Sequence, residues 1–65
     1  MEPYLIKITA NTLNVRQEPT ILSKITTQIK KNQIYTIVEE DSGWGKLKSG
    51  AGWINLKYVK KYEKK

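Results

Sequence analysis

Trp44, Trp53, Tyr58, Asn14 and Arg16 are the side chains of this sequence best equipped to hold a ligand. Indole and phenol rings offer flat apolar platforms with a polar edge, while carboxamide and guanidinium groups supply directional hydrogen bonds. Such a set suits a polar ligand rich in amides and hydroxyls. The same sequence is poorly equipped to make or break a bond. It contains no His and no Cys, so Ser23, Ser42 and Ser49 have no imidazole to activate them, and an unassisted hydroxyl is a weak nucleophile. The carboxylates Glu2, Glu18, Glu39, Glu40, Asp41 and Glu63 fall in turn-like or terminal stretches. The run Glu39-Glu40-Asp41 reads as a solvated turn rather than an acid/base pair or a calcium loop. Gly50-Ala51-Gly52 leads into no helix and is therefore a hairpin turn, not a phosphate cradle. The expectation is a binding protein with no catalytic residue, no metal site and no cofactor.

The elements that must position these side chains read as strands. Tyr4 to Ala10 alternates, with Tyr4, Ile6, Ile8 and Ala10 on one face and Leu5, Lys7 and Thr9 on the other, the period-2 signature of a half-buried strand. Leu13-Asn14-Val15-Arg16 alternates again, sending Leu13 and Val15 inward and Asn14 and Arg16 toward solvent. Residues 17–24 contain Pro19 and little periodicity, which predicts a long loop with one helical turn around Ile21 to Ser23. Ile25, Thr27 and Ile29 share a face of the next strand. Its end is the turn Lys30-Lys31-Asn32-Gln33, where Asn32 best tolerates a left-handed backbone. Ile34 to Glu39 is apolar on both sides, as befits a central strand, and Asp41-Ser42-Gly43 turns the chain.

In Trp44 to Lys48, Leu47 points one way while Trp44, Lys46 and Lys48 point the other, so Trp44 faces away from the core. After the turn Ser49-Gly50-Ala51-Gly52 comes Trp53-Ile54. If Ile54 is core, Trp53 lies at least partly outside. A 3₁₀ turn over residues 55–57 and a closing strand around Tyr58 to Tyr62 complete the chain. The fold class is all-β, a small barrel or sandwich of five to seven short strands. The expected core is Ile8, Leu13, Val15, Ile25, Ile29, Ile37, Leu47 and Ile54.

Sixty-five residues with 38% hydrophobic content close one core, since a chain of this size buries only about 60% of its unfolded surface. Packing and sheet hydrogen bonds must carry its stability, because disulfides and zinc are excluded with Cys and His. The longest apolar runs are three or four residues, so no segment spans a bilayer or serves as a signal peptide. A net charge of +6 predicts attraction to polyanions such as nucleic acid, anionic lipid or bacterial wall polymers. Much of that excess is terminal, at Lys57, Lys60, Lys61, Lys64 and Lys65.

Four blocks in order carry a resemblance to the bacterial SH3 (SH3b) domain family. They are Leu13-Asn14-Val15-Arg16 with Pro19, Lys30-Lys31-Asn32, Gly43-Trp44-Gly45-Lys46-Leu47, and Gly52-Trp53-Ile54 with Tyr58. The chain departs from the family pattern with Glu18-Pro19 in place of Gly-Pro and Lys31-Asn32 in place of Lys-Gly. The first places a side chain in the long loop, beside the ligand surface. The resemblance implies an SH3-like β-barrel over residues 4–62, with residues 1–3 an edge or linker and residues 63–65 a basic tail. It implies a module of secreted bacterial wall hydrolases and surface proteins, monomeric and often in tandem copies, that binds peptidoglycan peptide or cross-bridge and tethers a separate domain. The location is then extracellular or in the bacterial wall, with a signal peptide upstream.

The closing segment Gly52 to Val59 also resembles that of eukaryotic SH3 domains, where the counterpart of Tyr58 lies in the peptide groove and a Pro stands in place of Asn55. That likeness adds Asn55 to the candidates and makes Tyr58 the foremost one. Each candidate has a plainer explanation. Trp44 could lie flat as a lid on the barrel, Trp53 could be structural, Asn14 could brace the long loop, and Arg16 could pair with Glu18 at the surface for little energy. Two other readings compete: a basic barrel that binds nucleic acid or another polyanion, and a proline-rich-peptide adaptor, whose usual acidic loop cluster is here reduced to Glu18.

Overall fold

Each alternating or β-branched run becomes a strand in the computed structural model, which describes residues 1–63. In chain order these are β1 (Tyr4–Ile8), β2 (Thr12–Arg16), β3 (Ile25–Lys30), β4 (Ile34–Asp41), β5 (Trp44–Leu47) and β6 (Trp53–Asn55). A 3₁₀ turn, Leu56–Tyr58, then leads to β7 (Val59–Lys61). All pairings are antiparallel, in the order β3-β2-β6-β5-β4-β1-β7. The sheet curls into a small barrel around one core of Ile6, Ile8, Leu13, Val15, Ile29, Ile37, Leu47 and Ile54. Tyr4, Tyr35, Ala51, Leu56 and Val59 pack around it. No helix among the described residues is long and apolar enough to cross a membrane. The basic tail expected over residues 63–65 lies, at Lys64 and Lys65, outside the described residues.

Turn chemistry sets the hairpins. Ser42 and Gly43 both hold positive φ, 48° and 88°, the combination a two-residue hairpin needs to match strand twist. Asn32 takes φ 72° at the β3–β4 connection, as its carboxamide allows. Gly45 is buried in β5, and a Cβ there would press on Leu56 Cδ2 at 2.7 Å and Ile37 Cδ1 at 3.0 Å. Its missing side chain is what lets Leu56 close over the core.

Several expectations are corrected. Ile25 is not core but 43% exposed. The β2–β3 register runs Leu13↔Ile29, Asn14↔Gln28, Val15↔Thr27 and then Arg16↔Ile25, with a bulge between Val15 and Arg16. The skipped residue, Thr26, donates its hydroxyl to the carbonyls of Val15 at 3.1 Å and Ala51 at 2.8 Å. One extra residue reverses side-chain parity, so Ile25 follows Arg16 outward, and Ile6 takes a core place instead. Glu39, Glu40 and Asp41 are the exposed end of β4, paired with Lys46, Gly45 and Trp44, rather than a turn. β1 ends at Ile8 and not Ala10, and the 3₁₀ turn sits one residue later than expected. The long loop has one i→i+3 turn where the helical turn was expected, Ser23 N–H to Thr20 carbonyl at 3.2 Å, a tighter one just before it, Thr20 N–H to Glu18 carbonyl at 2.8 Å, and no helix.

Candidate functional site

Five of the sequence-identified candidates line one groove of about 320 Å³: Asn14, Arg16, Trp44, Asn55 and Tyr58. They come from far-apart positions because the sheet order sets β2, β6 and β5 side by side. Trp44 faces Asn55 across the β5–β6 ladder, while Asn14 and Arg16 share the outer face of β2. Tyr58 closes one end from the 3₁₀ turn. That turn is pinned at both ends: Asn55 Oδ1 accepts from the Lys57 N–H at 2.9 Å, and the Tyr58 carbonyl accepts from Thr9 N–H at 3.0 Å and Thr9 Oγ1 at 2.8 Å. A fixed backbone thus presents Tyr58, which is 44% exposed. Aromatic rings held rigidly bind without the entropy loss of ordering them.

Among the described residues, Arg16 is the only charged one lining the groove. Its Nη1 donates to the Ser23 carbonyl at 2.9 Å, which ties the guanidinium to the long loop in place of the expected pairing with Glu18. Glu18 instead uses its backbone N–H to donate to Ser23 Oγ at 2.9 Å. Asn14 Oδ1 accepts from Gln28 Nε2 at 2.9 Å, so this asparagine braces the β2–β3 pair rather than the loop. Behind the site, Gly52 at φ 140° packs against the Arg16 backbone so closely that a Cβ would strike the Arg16 carbonyl oxygen.

Trp53 stands apart. It pairs with Arg16 on one side and Lys46 on the other, on the same outer sheet face, but does not line the groove. Conversely, Ile21, Ala10 and Thr12 line it and were not read from the sequence. Ile21 is 67% exposed in the long loop. Two adjacent apolar residues, Ile21 and Leu22, in a Pro-containing segment with no strand to bury them, were the signal. A second depression of about 420 Å³ lies between Gln17, Lys24, Ile25, Thr26 and the Gly50–Gly52 turn, and has no aromatic ring. No cluster of His, Cys, Asp or Glu suited to a metal ion exists among the described residues.

No curated protein matches the chain in sequence. A family profile does: that of the bacterial SH3 domain, over residues 11–60. The match takes in β2 through most of β7, and so every groove residue except Ala10. β1, outside the match, pairs with β4 and β7 and completes the barrel. Domains of this kind are binding modules rather than catalysts. With its order of strands, its 3₁₀ turn and its profile match over most of its length, the chain belongs to the bacterial SH3 domain family.

Proposed function

We propose that this domain is a non-catalytic module that binds bacterial cell wall, taking a peptide or cross-bridge segment of peptidoglycan in the groove and holding an attached domain against the wall. The observation that carries the reading is the convergence of Trp44 and Tyr58 with Asn14, Arg16 and Asn55 on one groove. Aromatic platforms with adjacent amide and guanidinium donors are what a polymer of amides and hydroxyls requires. The reading makes residues 4–62 the binding domain, flanked by a linker edge and a basic tail, outside the cell and monomeric. A groove of about 320 Å³ is at the small end of ligand sites, so a single copy binds weakly and tandem copies gain by effective concentration.

The polyanion reading has the net charge of +6 in its favour. Against it, among the described residues Arg16 alone brings charge to the groove, while Lys61 lies over the ring of Tyr4 and Lys46 pairs with Trp53, away from it. Sedimentation with purified walls, with and without covalently attached anionic polymer, tests the choice. Tyr58→Ala should weaken wall binding by about 1 to 3 kcal/mol and leave the fold intact. Substitutions at Lys60, Lys61, Lys64 and Lys65 should have little effect at physiological salt, where the Debye length is about 8 Å. If Tyr58→Ala is silent and the lysine changes abolish a salt-sensitive binding, the domain is a basic adhesive and the groove is not its site.

A further inference from the structure

Hydrogen-bond accounting around the groove identifies what its ligand must offer. The Asn55 side-chain oxygen is occupied by the Lys57 backbone N–H at 2.9 Å. A backbone N–H can only donate, so the Asn55 carboxamide must turn its NH₂ group away from that bond, leaving a donor for the groove. The Asn14 carboxamide meets that of Gln28, Nε2 to Oδ1 at 2.9 Å, which leaves its other end for the groove. Arg16 and the Trp44 indole are donors with no acceptor to give. Arg16 spends one N–H on the Ser23 carbonyl and keeps the rest of its planar fork. No carboxylate lines the groove among the described residues. The site is therefore rich in donors, with the hydroxyls of Thr12 and Tyr58 able both to donate and to accept, and among the described residues it carries a single positive charge.

From this, and resting on the wall-binding reading of the groove, we infer that its ligand is a short peptide bearing a free carboxylate, received by the guanidinium of Arg16 and flanked by the amides of Asn14 and Asn55. A planar carboxylate meets a guanidinium edge with paired, charge-assisted hydrogen bonds. An uncharged cross-bridge would cover Arg16 without supplying the counter-charge, at the cost of its lost hydration. A phosphate polymer presents charge at every repeat, whereas among the described residues the groove has one cation to meet it. The loop tether through Ser23 holds the guanidinium in place before a ligand arrives, so little side-chain freedom is left to lose.

The test titrates the chain with diacetyl-L-lysyl-D-alanyl-D-alanine as the free acid and as the C-terminal amide, followed by NMR shifts of the Trp44 and Tyr58 resonances. The native chain should bind the acid at least about tenfold more tightly than the amide. Arg16→Gln should bring acid and amide to parity, and Arg16→Lys should fall between, since it keeps charge without the fork. The acid-to-amide ratio on the native chain needs no variant, so loss of folding in Arg16→Gln leaves the test decisive. Equal binding of acid and amide, with both lost in Tyr58→Ala, would overturn the carboxylate and leave the groove standing. Binding indifferent to both Tyr58→Ala and Arg16→Gln would overturn groove and carboxylate together. Glycerol 3-phosphate displacing the peptide acid at equal concentration would show a site for any anion and overturn the assignment.

Discussion

Gly50 and Gly52 share one turn and both hold positive φ, 83° and 140°, yet an alanine meets different surroundings at each. At Gly50 an added Cβ finds nothing within 4 Å, and the cost is the left-handed backbone alone, about 1 to 2 kcal/mol. At Gly52 it runs into the Arg16 carbonyl oxygen and lies 3.2 Å from Val15 Cγ1. The first obstacle is backbone, which no change of rotamer relieves, and it belongs to the strand that carries Arg16 into the groove. A backbone conformation reserved for glycine costs about 1 to 3 kcal/mol, and overpacking a similar amount again. Gly52→Ala should therefore destabilise by about 2 to 6 kcal/mol, against a total of roughly 3 to 10 kcal/mol for a chain of this length. Urea unfolding followed by tryptophan fluorescence reads the difference. With a slope of about 1 kcal/mol per molar, the Gly52→Ala midpoint should fall about 2 M below that of Gly50→Ala, or the variant should be unfolded from the start. Midpoints within about 0.5 M of each other would show that β2 yields to the added methyl and that the close approach does not constrain the fold.

Leu47→Ala should cost about 2 to 4 kcal/mol, since it removes a fully buried side chain and leaves a cavity. Ile25→Ala, beyond the bulge and exposed, should cost under about 1 kcal/mol in the same urea assay; similar losses for the two would contradict the register. The Tyr4 hydroxyl is pushed from 10.0 up to about 12 by partial burial first and then by the Glu40 carboxylate that accepts its hydrogen bond. The fold thus holds this proton more tightly than the unfolded chain does, a stabilisation present in full below about pH 10 and lost as pH rises from 10 toward 12. Urea midpoints measured across that range should decline more steeply in the native chain than in Tyr4→Phe, and parallel curves would refute the assignment.

What the sequence determined by itself is whatever depends on neighbours a few residues away. Alternation placed Leu13, Val15, Leu47 and Ile54 inward because successive strand residues face opposite sides. Asn32 and Gly43 marked turns because few residues accept positive φ. The same parity put Trp44, Asn14 and Arg16 outside, and the spacing of the blocks pointed to the family that the profile match then showed. Tertiary structure decided what depends on register and on partners distant in sequence. The bulge at Val15/Arg16 turned Ile25 outward, a shift no periodicity in β3 records, because its cause is an extra residue measured against another strand. Both outward tryptophans looked alike in sequence, but only Trp44 is set opposite Asn55 at the groove, while Trp53 sits between Arg16 and Lys46 beyond it. Nor could the sequence engage the two asparagines: the β2–β3 register brings Gln28 to Asn14, and the 3₁₀ turn brings the Lys57 N–H to the Asn55 oxygen, and a carboxamide whose oxygen is bound by a backbone N–H has only its donors left to offer.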